Sequence, residues 1–168
     1  MKRKKKKSRR LRKKHRKQKP TRDPVAESRN RLIEKMESHP LGPEIKWDDG
    51  SAKEKMSEVI FKYAEPFLEL THNKDQEKKA LAIAMILWNY AVMPGELESE
   101  QLKDLKKMIG IPDGEKDADA LKYVVDFMMK RKKTEFPDVH RIVLNYDITE
   151  TPEGLYLNVV SHVPDPEK

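Results

Sequence analysis

The chain has 168 residues, of which 39% are charged and 7% aromatic, with no cysteine and a formal net charge of +7. Without cysteine there are no disulfide scaffolds, thiol nucleophiles or zinc sites built on thiolates. No stretch reaches the roughly 18 consecutive apolar residues a membrane-spanning helix requires, and the length suits one domain.

The charge is segregated along the chain. Residues 1–22 hold 15 of the 36 Lys and Arg and no acid, so the remainder carries 21 basic against 29 acidic residues, a net of −8. A cationic tail of +15 therefore precedes an acidic body. Met1 and Leu11 are the tail's only apolar residues, too few for a secretory signal core or an amphipathic presequence, and Lys2 stands where myristoylation needs glycine. The expectation is a soluble cytoplasmic chain, nuclear if the source is eukaryotic. Like charges at that density repel and bury nothing, which predicts a disordered tail. Its natural counter-surface is polyphosphate, because each cation that meets a phosphate releases a condensed counterion. The candidate nucleic-acid contacts are Lys2, Arg3, Lys4, Lys5, Lys6, Lys7, Arg9, Arg10, Arg12, Lys13, Lys14, Arg16, Lys17 and Lys19. Arginines suit bidentate or stacked contacts and lysines act mainly as point charges. With no aromatic residue in the tail, binding should be salt-sensitive and undiscriminating.

Pro20, Asp23 and Pro24 end the tail. Apolar spacing then predicts a short helix over 25–37, with Leu32, Ile33 and Met36 on one side, and a loop through His39-Pro40 to Gly50 that carries Ile45 and Trp47. Asp48, Asp49 or Ser51 is expected to cap a second helix over 52–70, amphipathic through Met56, Val59, Ile60, Tyr63, Ala64, Phe67 and Leu68. Pro66 should kink or restart it. The most apolar window, residues 76–93, reads as the central buried helix, capped by Asn73 or Asp75 and stopped by Pro94-Gly95. Two more helices are expected over 98–109 and 118–132, the second with Leu121, Val124, Val125, Met128 and Met129 inward and Lys130 to Lys133 at its C-terminal, cation-favouring end. After Phe136-Pro137 the period changes to two. Strands over 139–149 and 155–163, joined at Thr151-Pro152-Glu153-Gly154, predict a hairpin with Ile142, Leu144, Tyr146 and Ile148 on its apolar face. The fold class is α+β, mostly α: a bundle of four to five helices followed by a C-terminal β-hairpin. The domain reading is a tail at 1–22, a short helix and linker at 23–50 and a globular domain at 51–168.

Chemistry is sparse. The six glycines form no phosphate-binding loop, and no GxSxG or HExxH motif is present. His140 and His162 fall near the open ends of the hairpin, where Asp138 or Asp165 would complete a metal or proton-sharing site; wet strand ends carry histidines without such a role. Asn145, Asp147, Tyr156 and Asn158 belong to the outer hairpin face, as a solvated surface or a binding surface. Phe67, Trp88, Met128 and Met129 fit a core, Trp47 a lid or a partner anchor, and Lys130 to Lys133 a solvated helix end or a second phosphate site. No catalytic residue, metal or cofactor is expected. The residues point to a non-enzymatic adaptor whose tail tethers an acidic domain to RNA, the ribosome or DNA, with a possible protein partner for the domain. The alternative is a protein-interaction or oligomerisation module whose tail is an address or a solubiliser.

Overall fold

A computed structural model of the chain describes residues 23–40, 42, 54–93, 105–107 and 115–164. Helices α1 (Pro24–Glu37), α2 (Met56–Leu68), α3 (Lys74–Val92) and α4 (Glu115–Glu135) precede strands β1 (Ile142–Thr151) and β2 (Gly154–His162). Residues 105–107 are helical, and Leu105 is buried in the main core. The helical bundle with a C-terminal hairpin is thus the observed architecture. The tail, Trp47, the proposed caps at 48–51 and most of the helix expected over 98–109 lie outside the described residues.

Local chemistry sets the helix ends. Asp23 caps α1 by accepting from the Val25 and Ala26 N–H groups, and Pro24 occupies the first helical position, where its missing donor costs nothing. Asn73 caps α3 by accepting from Gln76 N–H at 3.0 Å, while the Gln76 side chain reaches back to His72 N–H. The α2 N-cap is Lys55, which makes no side-chain cap bond. Helix α4 extends to Glu135, three residues beyond the expected end, and stops only at Phe136, whose conformation Pro137 restricts. Helix α2 runs through Pro66 without a restart, because the proline falls in its last turn, where few bonds remain to be lost.

The main core joins α2, α3 and α4 to one face of the hairpin. Tyr63, Trp88, Leu81, Met85, Leu105 and Met128 are fully buried in it, with Val143 and Leu157 contributed by the strands. Trp88 stands edge-on to both Tyr63 and Phe136, at centroid distances of 5.1 and 5.7 Å. Each such pair is worth about 0.5–1.5 kcal/mol beyond its buried area.

The hairpin register corrects the simple alternation read from sequence. Val143 pairs with Ser161 and Asn145 with Val160, leaving Leu144 as a bulge. The bulge changes which face the chain presents: Val143 enters the main core, while Leu144 packs with Leu32, Met36 and Val160 in a second cluster beneath α1. Beyond the bulge Tyr146 and Ile148 return to the main core side. Helix α3 holds this irregular start. Trp88 Nε1 donates to Arg141 O, and the Asn89 amide both donates to Val143 O and accepts from Val143 N, all at 2.7 Å. Asn89 thereby acts as a strand partner for the β1 edge. At the far end Gly154, with φ of +138°, closes the two-residue turn in a conformation that side chains resist. Asn89→Ala strands both backbone groups of Val143 and is expected to lower the unfolding free energy by about 2 kcal/mol. Urea denaturation checks this as a lower midpoint with an unchanged m-value.

Candidate functional site

Helix α1 follows the basic segment directly and covers the outer face of the hairpin. Asp147 there is neither a solvated residue nor an open binding group. Arg31 grips its carboxylate with two bonds, Nη2 at 2.7 Å and Nε at 3.2 Å, and Nη2 also reaches Thr149 Oγ1. Asn158 donates to Ser28 Oγ, and Ser28 is fully buried at the same interface. Asn145 accepts from Tyr146 N–H, so of the four outer-face candidates only Tyr156 is exposed. The Arg31 guanidinium, helped by the Ser28 and Thr149 hydroxyls, holds the Asp147 carboxyl down at about 2 against the opposing effect of burial. The attachment of α1 thus combines a small apolar cluster with a bidentate ion pair.

The run Lys130 to Lys133 also differs from a solvated patch. Lys130 and Lys133 are exposed, whereas Arg131 and Lys132 turn inward. Arg131 binds Glu135 at 2.8 Å and Glu65 at 3.4 Å, and its Nη2 donates to Lys62 O at 3.0 Å. That carbonyl is the one Pro66 cannot serve, since a proline has no N–H to return to residue 62. Arg131 fills the vacancy left by the proline. Lys132 is 5% exposed; its Nζ donates to Phe136 O at 2.8 Å and stands 5.0 Å from the Trp88 ring centroid. The hydrogen bond and the cation–π contact favour the ammonium by about 2–4 kcal/mol together. Burial still lowers the Lys132 pKa, and Asp138 only partly opposes it. Desolvation wins.

Of the two inward cations, Arg131 borders a cavity of about 400 Å³ lined also by Glu54, Lys62, Glu65, Glu135, Phe136, Pro137, Asp138 and Val139. Both of its cations are engaged, Lys62 on Glu54 at 3.2 Å and Arg131 on Glu65 and Glu135. An anion entering it would have to displace carboxylates, so the cavity is not a ready phosphate site. A nucleophile with an adjacent base is not among its lining residues. Burial raises the Tyr63 phenol well above its ordinary pKa, and the neutral hydroxyl donates to Met128 O at 3.1 Å as a core group.

The register sets His162 opposite Ile142, whereas His140 is exposed and lies two residues before β1. Among the described residues no group of three His, Asp or Glu side chains is arranged to hold a metal ion, and no helix is long and apolar enough to cross a membrane. Helix phase alone could have found Lys132, which follows Leu121, Val125 and Met128 on the inward side of α4. Pro66 likewise marked Lys62 O as a carbonyl in need of a donor. Comparison with protein-family models, curated proteins and solved structures gives no match.

Two measurements test this reading of the surface. Arg131→Ala is expected to cost about 2 kcal/mol, and clearly less in a Pro66→Ala background, where residue 66 regains the N–H for Lys62 O. Equal losses in both backgrounds would refute the link. Because the Asp147 pKa is depressed when folded, its contribution is present above the unfolded value of 3.8 and is lost as pH falls toward about 2. Relative to Asp147→Asn, the native chain should lose about 2 kcal/mol of stability between those limits, read from urea unfolding at stepped pH.

Proposed function

We propose that the protein is a non-enzymatic adaptor in which residues 1–22 tether the acidic body to nucleic acid or ribonucleoprotein, RNA and the ribosome included. The observation that carries this reading is the charge segregation: 15 cations and no acid in 22 residues, joined to a body of −8. Phosphate neutralisation is the interaction such a segment makes most strongly, with an affinity that needs no base contact. A net negative body is repelled by the same polyanion, so binding is confined to the tail and the body stays turned outward. Few residues separate Lys19 from α1 in sequence, so a captured tail holds the body nearby.

The test is the salt dependence of binding to single- and double-stranded RNA and DNA of equal length. With 6 to 10 phosphate contacts, affinity should fall by roughly 10³–10⁵ between 50 and 200 mM salt, with little discrimination among sequences. Removing residues 2–22 should abolish low-salt binding. Replacing Arg9, Arg10, Arg12 and Arg16 with lysine should leave the salt slope nearly unchanged, since charge is kept. Retained affinity in the tail-less chain at low salt would sink the proposal.

A further inference from the structure

Helix α1 packs on the two strands and stands apart from the main core. Its Leu32 and Met36 meet Leu144 and Val160 in a cluster that shares no residue with the one built by α2, α3, α4 and the inner hairpin face. Its caps are local. Asp23 accepts from the Val25 and Ala26 N–H groups, Ser38 Oγ donates to Lys35 O at 3.1 Å, and Gly42 N–H donates to His39 O at 2.8 Å. Gly42 lies so near Met36 O that a Cβ there would overlap it, which packs the turn after α1 against the helix itself. The helix can therefore leave the hairpin with these bonds intact, while Val143 and Leu157 stay in the main core.

The bonds across the junction fail together. Arg31 holds Asp147 and Thr149, and Asn158 donates to the fully buried Ser28 at 2.6 Å. Loss of the Arg31 contact alone strands a carboxylate side chain that is only 15% exposed, and loss of the Asn158 contact alone strands a buried hydroxyl. Full departure of α1 gives all of these groups to water. The partial arrangements are the costly ones, so α1 is either docked or free.

We infer that α1 is a releasable strap: it opens from the hairpin as a unit while the main core stays folded, and the Arg31–Asp147 pair sets how often it does so. Such opening requires a free energy below that of the whole fold, and an attachment with so small an apolar cluster meets that condition. A free helix of 14 residues is marginal in water, so α1 loses its amide protection when it leaves. Release uncovers Leu144 and Val160 and lengthens the chain between the basic segment and the core. The inference rests on the docking of α1 and not on what the basic segment binds.

The test is amide hydrogen exchange of the full-length chain at neutral pH in increasing, sub-denaturing urea. Protection of the α1 amides should be roughly a hundredfold or more below that of α3. It should fall little with urea, because release exposes little surface, whereas α3 protection should fall steeply. Tyr63→Phe, which removes the bond to Met128 O in the main core, should speed α3 exchange about tenfold and leave α1 exchange unchanged, since the core is folded whether the strap is docked or free. Asp147→Asn should speed both about tenfold, because it weakens the docked state from which each opening starts. Equal protection and equal urea dependence in α1 and α3 overturn the inference, as does faster α1 exchange in Tyr63→Phe. An α1 without protection in the native chain, or one indifferent to Asp147→Asn, overturns it too.

Discussion

Trp88 is the point on which the body's arrangement depends. Its indole ties together α2, α4 and the approach to β1: Tyr63 of α2 on one edge, Phe136 after α4 on another, the Lys132 ammonium over its face, and Arg141 O ahead of β1 through Nε1. A smaller apolar side chain at that position would leave the hairpin carbonyl, the lysine and two rings without their partner at once. These contacts are close enough to couple, so their energies will not add as independent terms. The neighbouring Asn89 then decides how the hairpin begins, because its amide reads the backbone of Val143 as a strand would. With Val143 pinned there, the Leu144 bulge carries the next side chain to the opposite face. The hairpin can then serve two cores, one beneath it and one under α1.

This two-sided use explains why α1 belongs where it is. A two-stranded sheet is marginal alone, and covering both faces buries the apolar side chains that project from each of them. Helix α1 has a narrow apolar stripe, Leu32 and Met36, too small to hold it by burial alone. Ser28, Arg31, Asn158 and Asp147 complete the attachment through directional bonds. Those bonds are sensitive to charge and pH in a way the main core is not. This polar interface is the one that follows the basic segment directly in sequence.

Periodicity made the apolar framework legible. The helical spacing of Met56, Val59, Ile60 and Tyr63, the dense apolar window of α3 and the change to alternation after Pro137 each name their element from the residues alone. What remained hidden was polar burial. A pattern reading assigns Lys132 and Arg131 to a solvated run because lysine and arginine are seldom buried. Whether they turn inward depends on partners distant in sequence: Lys62 O, freed by Pro66, and the Trp88 face. Alternation places Asp147 on a solvated or binding face for the same reason, since its partner Arg31 lies 116 positions away. The bulge was hidden too. Nothing in the alternation of Ile142, Leu144 and Tyr146 reveals that Asn89 will claim Val143.

The engagement of these charges alters what the net charge of the body means. Arg31 with Asp147, and Arg131 with Glu65 and Glu135, are held in fixed local pairs and contribute little to the field at a distance. Other charges on α4 are exposed, and Lys122, Asp126 and Lys130 alternate in sign along the helix instead of accumulating. An alternating row discriminates by register and direction, which suits a protein surface of fixed spacing. A uniform run such as residues 2–19 discriminates by charge density alone, which suits a polyanion. The two kinds of charge pattern sit on different parts of one chain, so a change that weakens one form of recognition need not disturb the other.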